Sequence, residues 1–217
     1  AFYSQAQLAL RHADDAILAA REARLSGHVS VGMAPSTASV LGVPFINAMR
    51  ESYPDVRLHL VESLSGNLER MINTRQLDLA IVFQQEKILR WSARPVLEER
   101  LFLIGTHALL ASLPDDPVSP DQLTTLPLIM PSQGHGLRGR LEAVCQQHNL
   151  SVEVVADIDG LALLMQAVRS GLGATLQPGA AISHLDHQAL RVIGIANPVL
   201  SRPNFLVSLS DDELTPA

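Results

Sequence analysis

Leu161-Ala162-Leu163-Leu164-Met165-Gln166-Ala167-Val168-Arg169-Ser170-Gly171-Leu172-Gly173-Ala174-Thr175-Leu176-Gln177-Pro178 joins a helix to a strand through two glycines. Apolar residues at 161, 164, 165 and 168 repeat at helical spacing and predict one buried face. Gly171 falls where a left-handed C-cap ends such a helix, and Gly173 keeps the next turn tight. Ala174-Thr175-Leu176 reads as a short strand that Pro178 closes, because proline cannot extend a ladder. A helix that turns into a strand is half of an α/β unit, and the chain carries a second such half near its start.

There Gly27-His28-Val29-Ser30-Val31-Gly32-Met33 alternates as a strand does, and Ala34-Pro35-Ser36-Thr37-Ala38-Ser39 is a turn rich in N-cap residues. A helix is predicted from Val40 to Glu51, closed by Tyr53-Pro54-Asp55. A strand over Val56–Val61, a helix over Leu64–Thr74 and an apolar strand over Leu77–Phe83 follow. The order β-α-β-α-β predicts a parallel sheet with right-handed crossovers. Pro95 to Gly105 is a run long enough to leave one sheet and enter another. Beyond the polar loop Pro114–Asp121, the pattern repeats with a strand at Leu128-Ile129-Met130, a helix over Leu137–His148 and a strand over Val152–Ala156. Leu190–Ile195 reads as a strand that returns the chain to the first half, where Phe205–Leu209 supplies the last one. Residues 2–25 read as one Ala-rich helix with a thin apolar stripe, either an ordinary amphipathic helix or one that pairs with a partner chain or links to a further domain.

The bulk composition narrows the function. With 217 residues, 47% hydrophobic and 18% charged, the chain is expected to be globular, as one domain or two lobes. A net charge of −6 speaks against this stretch gripping nucleic acid or an anionic membrane itself. The single cysteine, Cys145, allows no internal disulfide and is expected to pack as a small hydrophobe. No apolar run approaches the ~18 residues that span a bilayer, and the start lacks the apolar core of a signal peptide. The missing initiator methionine points to a fragment of a longer protein.

Four stretches in register resemble the effector-binding domain of LysR-type transcriptional regulators. They are residues 25–32, where a helix enters a strand; Tyr53-Pro54-Asp55-Val56 with Leu60-Val61-Glu62; residues 68–83 with Leu77-Asp78-Leu79-Ala80-Ile81; and residues 170–178. The last is close to the family's xGxGxxxLP, with Gln177 standing before the proline. Ala34-Pro35-Ser36-Thr37-Ala38 is similar to the nitrogen-assimilation-control type within that family. The resemblance implies an α/β fold of two Rossmann-like lobes joined by crossing strands, like type II periplasmic binding proteins, preceded by a linker helix. Residues 1–25 would be the linker, 26–96 and 196–217 the first lobe, and 97–195 the second. It also implies a cytoplasmic, non-enzymatic sensor with a small-molecule effector in the interlobe cleft and no cofactor. Assembly as a homodimer or homotetramer is implied as well, with the first-lobe helix 40–51 packed on a partner's helix 137–148. DNA would be reached only through an N-terminal domain outside this stretch. A solute-binding protein of a transporter shares that fold, and an enzyme on the same scaffold would need a base or cofactor that the sequence does not display.

Candidate effector contacts follow from the turns after the strands. Ser36 and Thr37 open a helix whose first N–H groups and positive dipole end suit a small anion, unless one of them merely caps the helix. Ser132, Gln133 and His135 repeat that layout in the second half, Gln84 ends the third strand, and Leu161 is placed to line the pocket floor. Arg138 and Arg140 stand where a cation opposes the helix dipole, which points to a job for one of them, such as pairing with a carboxylate effector, unless both are ordinary exposed helix arginines. Asp157 or Asp159 is expected to cap the helix after residue 160, and Gln177 to reach the hinge. No metal site is expected, since His184 and His187 lack a third ligand nearby, and Ser36 has no base partner for nucleophilic work.

Overall fold

A computed structural model describes residues 27–83, 91–115, 117–133, 136–183, 189–196 and 198–209. The expected helix over 2–25, and Gln84, His135, His184 and His187, lie outside those residues. The chain divides into two units, one running up to Val96 and resuming at Asn204, the other spanning Leu97–Pro203.

In the first unit, β1 (Gly27–Met33), β2 (Val56–Glu62) and β3 (Leu79–Phe83) lie in the order β2-β1-β3, all parallel. The last strand, β9 (Ser201–Leu209), pairs antiparallel with β3. Helix α1 (Pro35–Ser52) connects β1 to β2, and α2 (Ser65–Asn73) connects β2 to β3. The pleat assigns the helices to opposite faces. Val31 and Met33 point at Ala38, Leu41 and Phe45 of α1, while Leu68 and Ile72 of α2 pack with Leu77, Ala80 and Val82 on the other side. Gly32 faces α2, where an added Cβ would stand 2.6 Å from both Leu68 Cδ2 and Leu77 Cδ1.

α1 begins at Pro35, five residues before the expected start at Val40. Proline at the first helical position carries the helical φ and gives up only an N–H that has no intrahelical acceptor. Its N-cap is Ala34 and no side chain caps it, so the expectation that Ser36, Thr37 or Ser39 serves as a cap is corrected. Ser39 instead donates its hydroxyl to the Ser36 carbonyl at 2.7 Å.

The second unit repeats the plan. β5 (Pro127–Met130) and β6 (Glu153–Asp157) are parallel, α3 (Gly136–Gln147) follows β5, and α4 (Leu161–Arg169) follows β6. Leu128 and Met130 point into one core with Leu137, Leu141, Val144 and Cys145 of α3. Ile129 points the other way, into a core with Leu164, Met165 and Val168 of α4. β7 (Thr175–Pro178) continues this layer through a parallel bridge from Ala174 to Leu128.

The long strand β4 (Trp91–Thr106) passes from the first unit into the second, as its length led one to expect, and pairs there with β7 and β8 (Leu190–Gly194). β8 therefore stays in the second unit and does not carry the chain back. Ile193 is fully buried in that unit's core, and Arg191 donates to the carbonyls of Leu110, Leu113 and Pro114 and to the Asp115 carboxylate. Those contacts hold β8 beside the turn that follows β4. The return is made by β9.

Candidate functional site

In open α/β sheets, ligands sit beyond the carboxyl ends of parallel strands, where successive connections leave on opposite faces. In the first unit that point is the end of β1, between α1 and α2. Ser36 and Thr37 occupy it in the first turn of α1, both 4% exposed. The Thr37 hydroxyl is buried with no hydrogen-bond partner. The turn contains no acidic residue and no side-chain cap, so nothing from its own helix offsets the positive dipole end.

Two further serines stand at the same edge. The β2–α2 connection is tied to the end of β1, because the Ser63 N–H donates to the Met33 carbonyl at 3.1 Å. Ser65 opens α2 and accepts the Phe83 N–H at 3.2 Å, and Ser63 accepts from the Asn67 amide. Sequence reasoning passed over Ser63 and Ser65. The signal was present, since both flank a helix start after a strand, as Ser36 and Thr37 do.

In the second unit, residues 131–133 leave β5 and residues 158–160 leave β6. The two turns are bound together: the Ser132 N–H and hydroxyl donate to the two oxygens of Asp159, at 2.9 and 3.1 Å. Gln133 is exposed beside them. Leu161 is half-buried and packs against the α4 core. Neither aspartate caps α4, whose N-cap is Gly160 with no side-chain bond. Asp159 holds Ser132, and Asp157 pairs with Arg138 at 3.0 Å.

Arg138 has its duties within the fold. Its Nε meets Glu142 at 2.7 Å and Nη1 meets Asp157, with the side chain 11% exposed. Two carboxylates already match its guanidinium, which corrects the idea of Arg138 as the effector's counter-ion. Arg140 donates twice to the Ser201 carbonyl. Gln177 is buried within β7, opposite Phe102. Cys145 lies in the core, where burial and then the nearby Glu142 charge push its thiol up, so it stays protonated and unreactive. Among the described residues, no group of three potential metal ligands comes together.

Two doubly wound units, each with a hydroxyl-bearing edge, call for comparison with known proteins. Residues 22–217 match the family described as LysR substrate binding domain. The chain belongs to that family. It is 30% identical, over 96% of its length, to the nitrogen assimilation regulatory protein Nac of Escherichia coli K12, and spans 67% of that protein. Among solved structures, it resembles the effector-binding domain of QuiR in complex with shikimate, with a TM-score of 0.77 and 18% identity. That likeness covers 86% of this chain and 89% of the other. The regulatory domain of CcmR from Synechocystis PCC6803, in complex with 2-PG, is similar at a TM-score of 0.76 and 18% identity, with 86% and 89% covered. At such identity these structures speak for the fold: this LysR substrate-binding domain has the two-lobed, periplasmic-binding-protein-like architecture of its family. Its relationship to Nac agrees with the likeness seen at residues 34–38.

Proposed function

We propose that this LysR substrate-binding domain is the effector-sensing part of a bacterial transcriptional regulator, and that its effector is a small polar or anionic metabolite. The family and the curated relatives are those of regulators, which favours this reading over a transporter's solute-binding protein. The chain spans about two thirds of the length of Nac, and DNA contact is assigned to a domain beyond it. The protein then works in the cytoplasm, without catalysis; among the described residues no helix is long and apolar enough to cross a membrane.

One observation carries the effector site: the buried, unpartnered hydroxyl of Thr37 at the head of α1. Leaving such a group unsatisfied costs about 1–3 kcal/mol, a cost that a bound acceptor or donor removes. Ser36 stands beside it, and Ser132 and Gln133 are assigned the corresponding edge of the second unit, with Gln84 and His135 proposed from sequence alone. QuiR and CcmR, with their named small-molecule complexes, support effector binding as the work of this fold. A thermal-shift screen of small carboxylates, sulfur metabolites and amino acids is expected to yield a stabilising compound whose effect disappears in Thr37→Val. A compound that stabilises Thr37→Val and Ser132→Ala as well as the parent would refute the site.

A second copy of the chain is the proposed partner of α1. That helix is apolar on both sides: Leu41 and Phe45 pack inward, while Val40, Val43 and Ile46 are exposed. A helix apolar all round is ordinarily covered. The resemblance points to helix 137–148 of the partner, yet the outward residues there include Gln146 and Gln147, whereas α4 exposes Leu163. The apolar match favours α4. Val43→Glu is expected to weaken self-association about thirtyfold, the loss of a ~2 kcal/mol anchor. Sedimentation equilibrium reads it, and unchanged association would rule out this face.

A further inference from the structure

Arg140 sits near the start of α3, where the helix dipole disfavours a cation, and it spends its charge on a distant backbone group. Its Nε and Nη2 both donate to the Ser201 carbonyl, at 3.2 and 2.8 Å, sixty-one residues along the chain. Ser201 opens β9, and its hydroxyl donates to Glu98 on β4. One residue further, Arg202 meets Glu99 at 2.7 Å, and the Leu101 N–H donates to the Leu200 carbonyl at 2.8 Å. Three elements, α3, β4 and β9, are thus laced together within residues 98–101 and 200–202. Those residues lie at the end of the second unit, just inside the points where the chain passes from Val96 to Leu97 and from Pro203 to Asn204.

Residues 131–133, the turn that carries Ser132 and Gln133, bond to Asp159, and Asp157, two residues before it, pairs with Arg138 of α3. Arg138 and Arg140 stand two residues apart on that helix. Leu137 and Leu141 anchor its underside in the core. A displacement of the Ser132 turn therefore shifts the Arg140 guanidinium, and its twofold grip transfers the shift to Ser201. A planar fork suits that transfer better than an ammonium on a flexible stem.

We propose that Arg140 is a positioning residue that couples the Ser132 turn to β4 and β9, the two strands through which the chain leaves the second unit. The proposal rests on the assignment of Ser132 and Gln133 to the effector edge, but its test needs no effector. Amide NMR spectra of the chain are compared for the parent, Ser132→Ala, Arg140→Gln and the double variant. Ser132→Ala removes the hydroxyl's bond to Asp159, leaving that of the backbone N–H, and is expected to move the Leu101 and Arg202 amides. In the Arg140→Gln background that movement should fall at least threefold, while the local change at Asp159 and Gly160 keeps its size. A merely structural Arg140 would alter the strand amides by itself yet leave their response to Ser132→Ala intact. If Arg140→Gln does not fold, Arg140→Lys, which keeps the charge and loses the fork, is expected to give an intermediate response. Equal movement with and without the arginine, or none in the parent, would overturn the coupling. Failure to find an effector at Thr37 would sink the assigned site and leave this result untouched.

Discussion

Gly173→Ala is expected to destabilise the protein by on the order of 3 kcal/mol, the upper range for forcing atoms into packed space. An added Cβ there stands 2.8 Å from the Pro127 carbonyl oxygen and 3.0 Å from Ile129 Cγ1. The first of these is backbone and cannot rotate aside. It is also a structural acceptor, since the Ala174 N–H donates to it at 2.8 Å, and the Ala174 carbonyl accepts the Ile129 N–H at 2.7 Å. Relief of the clash would pull the start of β7 away from β5 and open the layer that joins the second unit's two cores. Gly171 is the comparison. It holds φ +80°, with Gly171 N–H on the Val168 carbonyl and Leu172 N–H on Ala167, the double-bonded left-handed end of a helix. An added Cβ there meets nothing, so Gly171→Ala carries only a conformational cost of about 1–2 kcal/mol. Thermal or urea denaturation reads both, and a Gly173→Ala loss no larger than that of Gly171→Ala would contradict the packing account.

Arg202→Met should cost about 3–5 kcal/mol, the range for removing one partner of a buried ion pair. The Arg202 side chain is 5% exposed and that of Glu99 is 14% exposed. The guanidinium meets the same carboxylate oxygen through Nε and Nη2, each at 2.7 Å. Without the arginine, a carboxylate remains in a place that water hardly reaches. The double variant Glu99→Leu/Arg202→Met removes both charges, and buried pairs replaced by apolar groups are often neutral in stability. The double variant is thus expected to be more stable than Arg202→Met alone. Denaturation curves of the parent, Glu99→Leu, Arg202→Met and the double variant decide the matter, and a double variant as unstable as the sum of its singles would show that the pair is not the unit that counts. Because the pair lies in the lacing around Arg140, the single variant should also loosen β4 and β9.

Local pattern was enough for much of this molecule. The spacing at 161, 164, 165 and 168 gives α4 its buried face, and Gly171 stands at the left-handed end foreseen for it. The alternation of β1 and the apolar run of β3 follow the same logic, as does the length of β4. The start of α1 was misjudged because hydroxyl residues were weighed as caps, whereas Pro35 already marked the first helical position. Long-range facts were out of reach. Nothing near Leu190 says which unit its strand joins, since that depends on Ile193 finding the second core and Arg191 reaching Leu110, 81 residues away. Arg138 was half legible: Glu142 lies four residues on, but Asp157 comes from another strand. Ser132 was placed at the right edge of its strand, yet the partner that accepts its hydrogen bonds, Asp159, was read as a cap because the 27-residue separation hides the contact.

The central claim is that the head of α1 holds the effector, with Thr37 kept unsatisfied until it binds. Thr37 and Thr175 provide a matched pair, since both carry buried hydroxyls without a hydrogen-bond partner. Thr175 belongs to the β7 strand, whereas Thr37 stands at the carboxyl edge. Replacing either with valine removes an unsatisfied group, so both variants should be as stable as the parent or more so by about 1 kcal/mol. The decisive measurement is the stability and the effector affinity of Thr37→Val and Thr175→Val side by side, by denaturation and by calorimetric titration with the compound found in the screen. The account predicts that Thr37→Val keeps its stability and loses at least tenfold in affinity, a ~1.4 kcal/mol contact, while Thr175→Val keeps both. Unchanged affinity in Thr37→Val would contradict it.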